Sequence, residues 1–276
     1  MLNPKNILNI SDDEYFRRCY GGDTMTAHML RLFARSPLLY FNTISQPRPA
    51  DTNPAYKFGR AVHAYILQGE DVFNETFIAH DGPVNQKTGK PYGPTSNAYI
   101  EFFAAMNKTP VSMDEFSIIR KMDVAVSQHK DVKLNDGIAE AVLQATWNGV
   151  NCASKMDWIS QDGSHLVDVK SCDSLEGFKY DINQYNYLQQ MGFYWNMLKL
   201  NGANPTCVEL LAVEKKDPYR AGLFRIDTRV LEEEAEGIGK LLDEYKECKA
   251  MNVWPPRFED VVMISPEKIV NGRYTG

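Results

Sequence analysis

Apolar positions along the chain change period twice, which divides it into three stretches. Through residues 1–135 they recur mostly three and four apart, the spacing of amphipathic helices. Thr26 is placed to cap a helix that runs through Leu30, Leu32 and Phe33 until Pro37. A second helix is predicted over about 55–68, with others near 96–106 and 114–129. The segment 81–94, DGPVNQKTGKPYGP, has the Gly, Pro, Asn and Lys density of a surface loop. From 136 the period falls to two. IAEAVLQATW, VNCASKMDWIS and SHLVDVKS read as three strands joined by Asn148-Gly149 and Asp162-Gly163, pairs that accept the positive φ of a type I′ turn. After them come a short helix near Ser174, a long one over about 183–199, strands at 206–213 and 221–226, and a final helix over 230–251. The last stretch, 253–276, is predicted to be extended.

This order implies an α/β fold with a central mixed β-sheet, in which an antiparallel three-strand meander is flanked by helices. With no internal repeat or low-complexity linker, residues 1–276 are expected to form one domain. It divides into a helical part (1–135), a catalytic sheet with its helices (136–252) and a tail.

The hairpin register turns pattern into chemistry. If Trp147 pairs with Val150, Glu140 lies opposite Asp157; if Gln161 pairs with Ser164, Asp157 lies opposite Asp168. Three carboxylates then form one row across adjacent strands, where like charges are destabilising unless compensated. A divalent cation is the natural compensation. The next row on that face would pair Lys170 with Lys155, and Ile138, Ile159 and Leu166 would form an apolar row on its other side. Met156, Trp158, Val167 and Val169 would occupy the opposite face. A single bulge in either hairpin would break this alignment and leave ordinary solvent-facing acids. Hard oxygen ligands suit Mg²⁺ or Mn²⁺, which would hold a scissile phosphate and acidify a bound water. Asp157 and Asp168 are the expected direct ligands, Glu140 serves a second ion or a metal-bound water, and Lys170 positions the water or stabilises developing charge. Sequence does not separate one metal from two.

Composition changes this picture in three respects. Thirty Lys and Arg against 36 Asp and Glu give a formal charge of -6, unusual for a DNA-binding protein. Bases nevertheless outnumber acids in residues 1–60, whereas acids dominate 229–250, so a local basic groove is compatible with the total. Five scattered cysteines without CxxC spacing argue against a disulfide framework, a zinc site or an iron–sulfur cluster. No run approaches the roughly 20 apolar residues needed to span a bilayer, and the start lacks a signal-peptide core. A cytoplasmic protein without a membrane partner is expected.

Asp157, ten residues, then Asp168-Val169-Lys170 resembles the PD-(D/E)XK nuclease pattern. Phe58-Gly59-Arg60-Ala61-Val62-His63 resembles the GxxxH helix of RecB and RecE nucleases, and Gln190 to Tyr194 resembles their QxxxY motif. Thr26-Ala27-His28-Met29-Leu30 to Ser36-Pro37 is similar to the first helix of RecE-like exonucleases. The chain thus resembles the RecE (exodeoxyribonuclease VIII) family over about 25–200, and lambda exonuclease more distantly. The resemblance implies that His63 and the Val169 carbonyl are further metal ligands. It also implies 5′-to-3′ digestion of one strand of duplex DNA from its ends, a ring-shaped homo-oligomer, and a RecT-like single-strand annealing protein as partner. Ser154-Lys155-Met156-Asp157 departs from the usual Gly-Arg-x-Asp, and Leu67 stands where Glu is frequent; Lys155 keeps the charge without the bidentate fork of Arg.

Gln190 and Tyr194, with Tyr187, fall on one helix face suited to holding backbone phosphate, although an amphipathic core helix gives the same pattern. Arg31 and Arg35, near the capped helix, are candidates for a 5′ phosphate. The rival readings are a PD-(D/E)XK endonuclease, a nuclease of the iron–sulfur AddB type, and a DNA-binding relative that has lost catalysis.

Overall fold

The computed structural model describes residues 2–8, 10, 12–20, 24–46, 53–259, 269–270 and 273–274. Among them, a mixed six-stranded sheet has the order β1 (Ile7–Leu8), β4 (Gly137–Trp147), β5 (Val150–Ser160), β6 (His165–Cys172), β7 (Cys207–Glu214), β8 (Ala221–Arg225). Every neighbouring pair is antiparallel except β6 and β7. That parallel step needs a crossover, supplied by α7 (Leu175–Gln184) and α8 (Tyr187–Leu200). Buried Glu214, at the end of β7, accepts from the Leu175 backbone N–H at 2.9 Å and pairs with Arg220, which anchors the start of that crossover.

Helices cover both faces. On one, α2 (Ala27–Arg35), α3 (Pro37–Ile44), α8 and α9 (Thr228–Met251) bury Phe33, Tyr40, Phe193, Leu242 and Tyr245 with Leu143, Met156, Ile159 and Leu166 from the strands. On the other, α4 (Pro54–Thr76) and α6 (Met113–Ser127) bury Val62, Phe73, Ile119 and Met122 against Trp158, Val167, Val169 and Leu211. The remaining described elements are a 3₁₀ turn (Pro4–Asn6), α1 (Asp12–Tyr20), α5 (Asn97–Met106), a small parallel pair of β2 (Phe77–Ala79) with β3 (Thr109–Val111), and a pair of β9 (Ile269–Val270) with β10 (Arg273–Tyr274). The predicted extended tail is therefore described only in part, residues 260–268, 271–272 and 275–276 lying outside the described residues.

Local chemistry accounts for most boundaries. The Thr26 hydroxyl accepts from the Met29 N–H and starts α2 as expected. Pro37 ends α2, since it lacks an N–H, but its fixed φ suits a first helical position; Ser36 caps α3 immediately. Sequence reading missed α3 because PLLYFNTI has no polar stripe to reveal a period. The second predicted helix stops at the right place: α4 kinks at Gly69, whose φ is 88°, and continues to Thr76. The short helix predicted near Ser174 is α7, and the long one predicted over 183–199 is α8, which starts only at Tyr187 because Asn186 before it adopts the left-handed conformation (φ 57°) that Asn tolerates.

Both predicted hairpins form in the expected register. Trp147 pairs with Val150, and Trp158 pairs with Val167 beside Ile159 with Leu166. The alternation of faces does not continue through the site. Met156 packs with Ile159 and Leu166, whereas Trp158, Val167 and Val169 pack against α4 and α6, so the expectation that Met156 shares their face is corrected. Partner strand β4 changes parity at the same point, with Ile138 and Ala141 on one side. The reason lies at Glu140, whose φ is 55°. A single left-handed residue rotates the strand and re-aims the side chains beyond it.

Candidate active site

The parity change sits where the carboxylates meet. Ala139 pairs with Trp158 and Ala141 with Met156, so Glu140 and Asp157 oppose each other outside the ladder. Paired contact between β5 and β6 is confined to the two residue pairs nearest their turn. Beyond it the strands separate, and the Asp157 carboxylate occupies the gap, where Oδ2 accepts the Val169 N–H at 2.7 Å. That bond satisfies a backbone donor the splayed strands leave without a ladder carbonyl. Consequently the predicted Lys155–Lys170 pair does not form. Lys155 makes an ion pair with Glu140, and Lys170 one with Asp168 at 2.5 Å.

His63 enters from α4, where Gly59, four residues earlier, lies on the same face. Its Nε2 donates to the Val169 carbonyl at 2.9 Å, and its Nδ1 faces Asp157 Oδ1 at 3.5 Å. A carbonyl is only an acceptor, so Nε2 carries the proton and Nδ1 presents its lone pair to a carboxylate in the neutral ring. Ligand atoms of His63, Glu140 and Asp157 all lie within 4.8 Å of one another. One imidazole nitrogen among carboxylate oxygens is a donor set that fits a hard or borderline divalent cation. Asp168, on the adjoining strand, is fully buried, and the groups at its carboxylate are polar. Gln190 donates to Oδ1 at 3.3 Å, while Oδ2 has the Lys170 ammonium but no hydrogen bond of good geometry.

Burial and neighbouring charge shift both members of the Asp168–Lys170 pair. Burial raises the Asp168 pKa, the Lys170 charge opposes this, and Asp157 raises it further, leaving it at about 6. Burial alone would favour the neutral Lys170 amine, but Asp168 and Asp157 outweigh it and hold its pKa above the ordinary lysine value. The Lys170 Nζ also lies 4.8 Å from the centre of the Tyr187 ring.

Other expected contacts are placed differently from their sequence rationale. Tyr194 is buried, and its hydroxyl accepts from the Gln190 amide at 3.0 Å; it braces Gln190 and does not present itself to a phosphate. Arg31 lies in the middle of α2 and exposed Arg35 in its last turn, so neither occupies the positive end of that helix. Arg31 instead donates to the Tyr185 carbonyl at 3.0 Å. A second ligand-like group of His165, Cys207 and Glu209 also falls within 4.8 Å. Glu209 is already engaged by Arg225 at 2.8 and 3.0 Å and by His165 at 2.7 Å, which identifies a satisfied ion-pair network. No described helix is long and apolar enough to cross a membrane.

The strain at Glu140 gives a direct test. Left-handed backbone costs a non-glycine residue about 1–2 kcal/mol, tolerated most readily where a side chain is needed. Glu140→Gly is therefore expected to be more stable than Glu140→Ala by about 1 kcal/mol in urea unfolding, with both weakened in divalent-cation binding. Equal stabilities would show that the conformation is not strained.

Comparison with known proteins places this geometry. The model of a family described as PDDEXK-like domain of unknown function (DUF3799) matches residues 27–265. A protein of Eubacterium rectale, described as "Putative exonuclease", has a crystal structure that matches with a TM-score of 0.65 at 13% identity, over 94% of this chain and 96% of that chain. At that identity the likeness is one of fold. A second solved structure, of SSO0001, matches 51% of this chain and 63% of its own at 19% identity with a TM-score of 0.28, too low to inform the fold. No curated protein matches the sequence. With the family model spanning most of the chain and the sheet, flanking helices and Asp157/Asp168-x-Lys170 arrangement in place, the chain belongs to the PDDEXK-like DUF3799 family of the PD-(D/E)XK nuclease superfamily.

Proposed function

We propose that this protein is a DNA exonuclease that hydrolyses phosphodiester bonds with Mg²⁺, or Mn²⁺, held by His63, Glu140, Asp157 and Asp168. The observation that carries this reading is the convergence of His63, Glu140 and Asp157 within 4.8 Å beside the buried Asp168–Lys170 pair. The bound cation supplies Lewis acidity at the phosphate and an acidified water. The protein supplies the geometry. Asp157 is locked by the Val169 N–H, and Gln190, itself braced by Tyr194, fixes one oxygen of Asp168. Lys170, 15% exposed, is placed to donate to the attacking water or to a phosphoryl oxygen and to stabilise charge there. The Val169 carbonyl holds the His63 ring and retains a second lone pair for the cation.

The resemblance of the Gly59–His63, Gln190–Tyr194 and Thr26–Pro37 segments to RecE-like enzymes supports the finer reading. Linear duplex is digested 5′ to 3′ from its ends, leaving 3′ single strands for an annealing protein, by a ring-shaped homo-oligomer. Lys155, beside Glu140, and exposed Arg35 are the proposed phosphate contacts. Incubation of 5′- and 3′-end-labelled linear duplex and of closed circular duplex with Mg²⁺ or with EDTA tests this. Mononucleotide release from linear DNA, Mg²⁺ dependence and intact circles are expected. Cleavage of circles would establish an endonuclease instead, and inert linear DNA a relative without catalysis.

A further inference from the structure

Beneath Lys170, the turn from α7 and the first residue of α8 carry two stacked tyrosines that the hydrolytic chemistry does not use. The Tyr185 and Tyr187 ring centres are 5.7 Å apart with planes 28° from parallel. Tyr187 is the inner ring, packed on buried Phe178 and lying under the Lys170 ammonium. Tyr185 is the outer ring, 44% exposed. Its backbone is held from both sides. Its N–H donates to the Asp181 carbonyl at 2.9 Å, and its own carbonyl accepts from Arg31 at 3.0 Å. Left-handed Asn186 makes the reversal that brings the two rings together. An exposed aromatic on so fixed a base loses little entropy when another flat surface is laid on it.

We propose that Tyr185 is a base-stacking subsite for the end nucleotide of a DNA strand, next to the phosphate that Lys170 serves; this rests on the nuclease reading. The chemistry selects that ligand in two ways. A nucleotide whose phosphate lies at Lys170 carries its sugar and base beside the Tyr187 ring under that ammonium, on which Tyr185 is stacked. Only a strand end or a frayed nucleotide offers a base with a free π-face, since interior bases are stacked on both sides. Stacking also reads no sequence, as a progressive digestion requires. Arg31 is a positioning residue here, acting through the Tyr185 carbonyl.

Steady-state digestion of linear duplex tests the subsite. Tyr185→Ala is expected to raise KM about tenfold with kcat little changed, and Tyr185→Phe to restore KM, because the ring and not the hydroxyl stacks. A duplex whose end nucleotide is abasic should raise the KM of the wild-type protein by a similar factor and leave Tyr185→Ala no worse than with a normal end, since both changes remove one contact. Effects of base removal and of Tyr185→Ala that multiply, or a wild-type protein indifferent to base removal, would overturn the subsite while the nuclease reading stands. A wild-type protein that cuts no DNA would overturn both.

Discussion

Asp157→Asn is expected to lower the rate of linear-duplex digestion by about 10²–10³-fold or more, because it removes the charge of a proposed metal ligand at the point where three elements converge. The substitution is nearly isosteric. The asparagine carbonyl oxygen can still accept the Val169 N–H that Asp157 holds at 2.7 Å, so the gap between β5 and β6 should remain filled. What is lost is the negative charge that faces His63 and Glu140. The melting temperature in EDTA should therefore move little, while the stabilisation that added Mg²⁺ or Mn²⁺ gives the wild-type protein, which grows with the ratio of ion concentration to Kd, should be nearly abolished. Thermal melts across a metal titration, alongside end-labelled digestion, separate the two effects. Retention of activity within tenfold would remove Asp157 from the centre of the mechanism.

Lys170→Met is expected to be as damaging to digestion, about 10²–10³-fold, but by another route. The carboxylates proposed to hold the cation stay in place, so the cation-induced rise in melting temperature should survive. The metal-free protein should suffer instead, because Asp168 is completely buried and Lys170 is its counter-charge. The pH dependence has a definite sign. Burial already raises Asp168 to about 6 in the folded protein, above the roughly 3.9 of an unperturbed aspartate. A carboxyl raised in this way contributes stability that is complete below its unfolded pKa and disappears as pH rises through the folded one. In EDTA, this group should therefore make the wild-type protein less stable at pH 8 than at pH 5, by on the order of 1 kcal/mol. Without Lys170 the folded pKa rises further, so the deficit of the variant should be largest at pH 8 and shrink in acid. A pH-independent deficit would assign it to lost packing of the lysine stem, and a loss of metal response would make Lys170 part of the ion site.

The legible part of this protein was that governed by local rules. Asn148-Gly149 and Asp162-Gly163 set two-residue turns, a two-residue turn sets register, and register alone puts Glu140 opposite Asp157. Thr26 and Pro37 bounded a helix because capping and the missing proline N–H act within one turn. His63 came from motif resemblance alone, and Gln190 from resemblance with a helix-face pattern that a core helix shares. They lie 94 and 22 residues from Asp157 and Asp168 respectively, and no periodicity links such positions. The failures share one cause. Pairing Lys155 with Lys170, and placing Met156 with Trp158, both assumed that regular alternation continues through the site. One left-handed residue and a pair of separating strands ended it there.

The sequence by itself determined the order of elements, the two hairpins and the residue types needed to hold a divalent cation, because each depends on neighbours within a few residues along the chain. Only the tertiary structure decided which charges meet. It joined Lys155 to Glu140 and Lys170 to Asp168, drew Tyr194 inward as a brace, and stacked Tyr185 on Tyr187, the ring beneath Lys170. Those outcomes depend on how far two strands diverge and on which helix lies across the gap, and packing of distant segments fixes both.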